Sequence, residues 1–223
     1  MNITAFEEIK YELNQHKARL VAVSKTQSIE KIAALYHAGQ RIFGENKVQE
    51  MCDKQSVLPN NIEWHLIGHL QRNKVKYIAP FVSMIHSVDS MKLLQEINKQ
   101  ALNNNRIIAC LLQFHIAQEE TKFGLNEAEA SQLLQSPTFL EMKNIAICGV
   151  MGMATNTNNK ALIKQEFMQL QSIFDSLKIQ HFKNDSRFTE ISMGMSSDYK
   201  IALQCGSTLV RIGSKLFGER NYE

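Results

Sequence analysis

Short apolar runs alternate with amphipathic segments along almost the whole chain. In the first run, residues 20–23 are all apolar and lead directly into Ser24 and Lys25, before Thr26-Gln27-Ser28 begins a helical pattern. An unbroken apolar run is typical of a strand buried on both faces, as in parallel sheets. Lys25 therefore stands where a buried strand ends, which is where α/β folds keep their ligands. A lysine there is either a functional amine or a charge that extends to solvent.

The same patterns predict the other elements of the chain. Further strands are predicted at residues 41–46, 62–68, 81–88, 106–116, 145–151, 189–193 and 208–212. Helices are predicted where apolar residues recur at three- and four-residue spacing. The first carries Ile3, Phe6, Ile9 and Leu13, and the others lie at residues 28–39, 72–78, 90–102, 127–134, 160–177, 197–204 and directly after residue 212.

Eight strands that alternate with helices predict parallel strands joined by right-handed crossovers. That count favours a single (β/α)8 TIM barrel with an extra N-terminal helix, and 223 residues is near the lower end of the size of that fold. No Pro-, Gly- or Ser-rich linker divides the chain, so one domain over residues 1–223 is expected. An open, doubly wound sheet is the alternative.

Composition narrows the class of protein. A hydrophobic fraction of 44%, a charged fraction of 21% and a net charge of +3 are ordinary for a soluble protein and give no reason to expect nucleic-acid binding. The N-terminus lacks the apolar region of a signal peptide, and the most apolar segment, residues 107–117, is too short to span a bilayer. The four cysteines lie far apart without a CxxC pair. These features predict a cytoplasmic protein without disulfides, zinc or membrane attachment.

Polar residues and glycines follow every predicted strand. In a barrel the carboxyl ends of all strands meet at one face, so these residues are expected to surround a single site. They are Lys25; Gly44, Glu45 and Asn46; His65 and Gly68; Ser87 and Asp89; Lys122, Phe123 and Gly124; Met151, Gly152 and Met153; Ser192 to Ser196; and Arg211 to Ser214.

The exits of the last two strands favour an anion site. Ser196 lies near a predicted helix start, and Gly213-Ser214 forms another strand-to-helix turn. Exposed backbone N–H groups and two hydroxyls there would bind phosphate, and barrels frequently hold phosphate at this corner. The alternative is that Ser196 and Ser214 only cap helices.

A phosphate site beside a strand-end lysine, without a metal cluster, suggests pyridoxal 5'-phosphate (PLP) held as a Schiff base on Lys25. That linkage needs a neutral amine, and the pKa of a free lysine is about 10.4, so the site must disfavour the charge. Arg211 would either lower that pKa or face the pyridine nitrogen of the cofactor, where it would weaken the ring as an electron sink. A surface ion pair is the alternative for Arg211, but its apolar strand argues against it.

Other candidate residues are weaker. His65 and His69 lie at a strand end rather than on one helical face, so they do not predict a metal site, and a core histidine is the plainer interpretation of His65. Four methionines at strand exits are expected to pack around an apolar face of a ligand: Met151, Met153, Met193 and Met195.

Several long motifs resemble the YggS/PROSC family of PLP homeostasis proteins. They are Val21-Ala22-Val23-Ser24-Lys25-Thr26, Phe43-Gly44-Glu45-Asn46-Lys47-Val48-Gln49-Glu50, Trp64-His65-Leu66-Ile67-Gly68-His69-Leu70-Gln71-Arg72-Asn73-Lys74, Ser192-Met193-Gly194-Met195-Ser196 and Gly206-Ser207-Thr208-Leu209-Val210-Arg211-Ile212-Gly213. The resemblance implies a barrel like the N-terminal domain of alanine racemase, with Lys25 as the Schiff-base lysine. It further implies that Ser196, Gly213 and Ser214 bind phosphate, that Arg211 faces the pyridine nitrogen, and that Asn46 and His65 line the pocket. Ser28 and Ser214 stand where the family often has Pro and Thr, and the Met151-Gly152-Met153 stretch also departs from its pattern.

The resemblance implies a non-catalytic protein that holds PLP and takes part in vitamin B6 homeostasis, with apo PLP-dependent enzymes as candidate recipients. A monomer is expected, because no apolar surface helix stands out. The alternative is a PLP-dependent amino-acid racemase, which needs a second acid/base group opposite Lys25. The racemase β-domain is not expected in this chain, and nothing places Tyr199 or Tyr222 in that role. A third alternative is an aldolase-like barrel in which Lys25 reacts with substrate directly.

Overall fold

A computed structural model describes residues 2–119 and 123–218. Its eight strands form a closed barrel in the order β1 to β8, in which each strand pairs in parallel with the next and β8 pairs with β1. The strands are β1 (Arg19–Val23), β2 (Ile42–Glu45), β3 (Glu63–Leu66), β4 (Met84–Val88), β5 (Ile108–Phe114), β6 (Ile145–Gly152), β7 (Glu190–Met195) and β8 (Leu209–Ile212). The predicted (β/α)8 barrel is confirmed.

Helices follow the strands and cover the outside of the barrel. They are α1 (Ile3–Gln15), α2 (Ile29–His37), α3 (Val48–Gln55), α4 (Val75–Ile78), α5 (Met91–Asn103), α6 (Glu127–Gln135), α7 (Pro137–Leu140), α8 (Lys160–Gln180), α9 (Tyr199–Gln204) and α10 (Ser214–Phe217), with a 3-10 turn at Arg72–Lys74. The extra helix α1 buries Phe6, Ile9 and Leu13, as its spacing predicts. Within the described ranges no helix is long and apolar enough to traverse a bilayer.

The apolar side chains form two layers. The larger core lies between the sheet and the helices, where Phe43, Trp64 and Phe167 are fully buried. A smaller cluster, which includes Val21, Met84 and Leu209, is separate from that core. Residues of one strand point alternately to opposite faces, so most strands supply both layers, which explains the unbroken apolar runs.

Several predicted boundaries differ from the structure. The strand predicted at residues 81–88 begins at Met84, because the amides of Phe81 and Val82 still bond the Ile78 carbonyl in a helical turn. The helix predicted from residue 197 begins at Tyr199, after a turn closed by the Asp198 amide and the Met195 carbonyl.

Helices α3 and α7 were not predicted individually. Helix α3 is mostly polar, and its apolar face consists only of Val48, Met51 and Cys52, which is too short to mark a helix in the sequence. Helix α7 has a single turn, which begins at Pro137 after a Ser136 cap.

Candidate functional site

A cavity of about 340 Å³ opens at the carboxyl ends of the strands, within the usual range for small-molecule sites. Six of the seven predicted site residues line it, namely Lys25, Asn46, Ser196, Arg211, Gly213 and Ser214, together with Val23, Ile67, Met153, Met195 and Ser197. A groove of about 480 Å³ lies between α1 and the helices α9 and α10, but it shares only Ser214 with this cavity. We place the site in the smaller cavity, because the strand-end residues converge there.

The corner between β7 and β8 presents hydrogen-bond donors to the cavity. The Gly213 amide donates to Ser196 Oγ over 3.3 Å, which brings the two strand exits together. The amides of Leu216 and Phe217 bond the Gly213 carbonyl, so those of Ser214 and Lys215 are the amides at the start of α10 that have no acceptor within the described chain. Amides and hydroxyls in this arrangement suit an anion such as phosphate.

Neither Ser196 nor Ser214 is the cap of a helix. The N-cap of α9 is Asp198, whose Oδ1 accepts the Met195 amide, and the N-cap of α10 is Gly213. Helices α9 and α10 have only six and four residues, so their dipoles add little to the local donors. A Cβ on Gly213 would lie 3.1 Å from the Val23 carbonyl oxygen, so glycine lets β8 pass close to the end of β1.

Arg211 is buried beside the cavity, with 4% of its surface exposed. Its guanidinium donates to the carbonyl and hydroxyl oxygens of Ser192 over 2.8 and 2.6 Å, and to the Gly152 carbonyl over 3.1 Å. Burial lowers its pKa to about 10 against the opposing effect of Asp198, so it stays protonated at neutral pH. These acceptors are neutral, which differs from the surface ion pair considered as the alternative.

A chain of buried hydrogen bonds continues from Arg211 through Ser192 to two histidines. Ser192 Oγ lies 2.9 Å from His86 Nδ1, and His86 Nε2 lies 2.9 Å from His65 Nδ1. Because Arg211 can only donate, the Ser192 hydroxyl accepts from it, and His86 Nδ1 is the acceptor that the described residues offer to the hydroxyl proton. We therefore assign both histidines as Nε2–H tautomers, with His86 donating to His65.

Both histidines are neutral at physiological pH. Burial, with a smaller effect of Arg19, lowers the pKa of His65 to about 3. Burial also holds the pKa of His86 well below its usual value, and His65 and Arg211 act in the same direction. His65 does not line the cavity; it lies in the barrel with 2% exposure, as the core interpretation of this residue expects.

Asn46 reaches the cavity because Gly68 leaves room for it. A Cβ on Gly68 would lie 2.5 Å from the Asn46 carbonyl oxygen and 2.7 Å from its Cα. The apolar wall of the cavity includes Ile67, Met153 and Met195, whereas Met151 and Met193 are buried away from it.

Comparisons with known proteins identify the family. A family model described as the N-terminal domain of alanine racemase matches residues 5–221. A pyridoxal phosphate homeostasis protein from Aquifex aeolicus is 37% identical over 206 residues, which cover 92% of this chain and 88% of the relative. One from Haemophilus influenzae is 37% identical over 212 residues, covering 94% and 88%. The chain belongs to the pyridoxal phosphate homeostasis protein family.

Solved structures agree with this family and with the predicted resemblance. PipY of Synechococcus elongatus, solved with PLP bound, superposes with a TM-score of 0.85 at 33% identity, covering 97% of this chain and 99% of PipY. PipY without PLP superposes with a TM-score of 0.90. Alanine racemase from Bartonella henselae gives 0.67 at 17% identity, with 61% of its length covered, and so shares the fold alone.

Some residues of this family member were missed or lie outside the structure. Sequence patterns did not single out Ser192 and His86 as partners of Arg211, or Ile67 as part of the cavity wall. A serine in an otherwise apolar strand, facing an arginine in the next one, was the available signal for Ser192. Lys122 and Tyr222 lie outside the described residues.

Proposed function

We propose that this protein binds PLP in the cavity, with Lys25 as the covalent attachment point, and serves PLP homeostasis by holding the cofactor rather than turning over substrate. One observation carries the proposal. The cavity brings together Lys25, the buried cation Arg211 and the donor corner of Ser196, Gly213 and Ser214, in a chain 33% identical to PipY over 97% of its length. The relatives' shared name supplies the homeostasis role.

The residues present fit PLP. The Ser196 and Ser214 hydroxyls and the free amides of α10 suit a phosphate dianion, and Ile67 and Met153 offer an apolar face to a ring. When bound, PLP supplies an aldehyde that condenses with a primary amine to a Schiff base, with loss of water. Lys25 projects into the cavity from the end of β1. Among the described residues that line the cavity it is the one lysine.

Arg211 favours holding over catalysis. The oxygens that accept its hydrogen bonds are neutral, the Asp198 carboxylate acts on it without being one of those acceptors, and it keeps its proton at neutral pH. Placed against the pyridine nitrogen, it would donate a hydrogen bond and keep that nitrogen unprotonated. A ring in that state is a poor electron sink, so carbanion chemistry at an amino acid would be slow.

The test is the absorption spectrum of purified protein mixed with PLP. Wild type should show the band of a Schiff base, and Lys25→Ala should abolish it. Lys31→Met is the matched control, because Lys31 is exposed on α2, donates a hydrogen bond to Gln27 and does not line the cavity; this variant should keep the band. A wild type without the band would overturn the PLP proposal. Exchange between L- and D-alanine above background would overturn the non-catalytic role.

A further inference from the structure

Three charged residues form a cluster beside the end of β1, outside the cavity lining. Glu45 ends β2 and is fully buried, while Glu50 and Lys54 lie one turn apart on α3. The side chain of Lys54 is 6% exposed and that of Glu50 24%. We call these three residues the α3 cluster.

Lys54 uses all three of its N–H donors inside this cluster. Its Nζ donates to Glu45 Oε1, to Glu50 Oε1 and to the Ser24 carbonyl oxygen, each over 2.7 Å. An amine that donates three hydrogen bonds has no lone pair left for an aldehyde. Lys54 is therefore a structural cation rather than a second attachment point.

The cluster holds both neighbours of Lys25. On one side, Ser24 accepts from Lys54 through its carbonyl and donates from its hydroxyl to Glu45 Oε1 over 2.6 Å. On the other side, the Thr26 amide donates to Glu50 Oε1 over 2.5 Å. The backbone of Lys25 is thus fixed by hydrogen bonds on the residue before it and the residue after it.

Thr26 is in a backbone conformation that needs such support. Its φ is +64°, in the left-handed region that a β-branched residue rarely adopts. A residue in that region stays there only where its surroundings over-determine the conformation. The hydrogen bond from its amide to Glu50 is a contact of this kind, and it lies one residue from Lys25.

The cluster is not arranged for stability alone. Glu45 Oε2 is buried and has no hydrogen-bond partner among the described residues, and burial raises the pKa of Glu45 against the opposing effect of Lys54. Burying ion pairs in this way often stabilises a fold no better than apolar packing does. The contacts to Ser24 and Thr26 give the cluster a second use.

We propose that Glu50 and Lys54 are positioning residues that set the backbone of Lys25, so that its amine reaches the aldehyde of PLP. The inference rests on the proposed function and adds to it the residues that orient Lys25. Neither residue lines the cavity. Their loss should therefore slow covalent attachment without weakening the binding of the rest of the cofactor.

The test compares PLP with pyridoxine 5'-phosphate, which has an alcohol in place of the aldehyde and binds without attachment. Glu50→Ala should slow covalent attachment at saturating PLP by about tenfold to a hundredfold, as misplacing a reacting group by about 1 Å does. Its affinity for the alcohol analogue should stay within about twofold of wild type. Glu50→Gln, which keeps an acceptor for the Thr26 amide, should restore most of the rate.

Asp53→Ala is the matched control, because Asp53 is an exposed carboxylate on the same helix that contacts Gln49 rather than the β1 end; it should leave both quantities unchanged. Lys54→Met is a second variant and should act in the same direction as Glu50→Ala. In the unloaded protein, Glu50→Ala should also speed hydrogen exchange of the Thr26 amide.

The outcomes separate the two proposals. A wild type that attaches no PLP would overturn the proposed function and this inference with it. Normal attachment by wild type and also by folded Glu50→Ala would overturn the positioning role alone. An equal loss of affinity for PLP and for the alcohol analogue would show a general structural defect and would also overturn it.

Discussion

Two groups of buried polar residues flank the cavity, and they differ in whether their cation is paired with carboxylates. In the α3 cluster, beside β1, the Lys54 cation is paired with two carboxylates. The second group is the hydrogen-bond chain that begins at Arg211 on β8. In the described structure Arg211 donates only to neutral oxygens of Ser192 and Gly152, and two neutral histidines extend the chain.

The difference separates a charge that holds the backbone from a charge that faces the cavity. A cation paired with carboxylates beside it has little field left for the cavity, and its hydrogen bonds fix geometry. A cation held by carbonyls and a hydroxyl keeps its full charge, because those groups orient it without neutralising it. Lys54 therefore fixes the backbone beside Lys25, whereas Arg211 presents its positive charge to the cavity.

The largest expected effect comes from leaving the α3 cluster half paired. Lys54→Met should lower the free energy of unfolding by about 3 kcal/mol, because Glu45 is then buried without a cation. Adding Glu45→Leu should recover most of that loss, since an apolar pair needs no partner. Urea unfolding at pH 7 measures both.

Lys200→Met is the control for this prediction, because Lys200 forms an exposed ion pair with Glu12 and should change stability by less than about 1 kcal/mol. If the double variant is no more stable than Lys54→Met, charge pairing does not explain the cost.

The histidine chain should make stability depend on pH. Both pKa values are lowered in the folded state, so the unfolded chain binds more protons below about pH 6.5 and stability falls as pH falls toward the folded pKa, about 3 for His65. At pH 5.5 each histidine should cost about 1.4 kcal/mol relative to pH 8. Urea unfolding at the two pH values should show this loss reduced by about that amount in His86→Gln.

The control for the pH effect is His16→Gln, because His16 is exposed after the end of α1. Its loss of stability on acidification should match that of wild type. An undiminished loss in His86→Gln would mean that other groups cause the acid sensitivity.

The sequence predicted the barrel because its strongest signals are local. Each strand is an apolar run with a polar exit, and parallel strands bring all exits to one face, so Lys25, Asn46, Ser196 and Arg211 could be placed together before any coordinates. Lys25 stands out because it follows the apolar run of β1, and Arg211 because it interrupts the apolar run of β8.

What the sequence could not predict is which way neighbouring exit residues point. Glu45 and Asn46 are adjacent, yet Asn46 lines the cavity and Glu45 turns toward α3, because successive strand residues face opposite sides. His65 points into the barrel, but it bonds His86 there and does not line the cavity. The α3 cluster was also missed, because the apolar face of α3 is limited to Val48, Met51 and Cys52 and did not reveal that Glu50 and Lys54 lie beside the end of β1.

The smallest expected effect tests the donor corner against the α3 cluster. Ser196→Ala removes a hydroxyl from the cavity and the acceptor of the Gly213 amide, and so should weaken affinity for PLP by about fivefold, or ~1 kcal/mol. Affinity for pyridoxine 5'-phosphate should fall by the same factor, because both molecules carry the phosphate. The rate of covalent attachment at saturating PLP should not change, since Lys25 and its backbone supports are untouched.

Titration followed by absorbance measures the affinity and the rate together, with Ser56→Ala, an exposed serine after α3, as the control. Glu50→Ala is predicted to give the opposite pattern, so a variant at either site that changed both quantities would show that the cavity does not separate phosphate binding from lysine positioning.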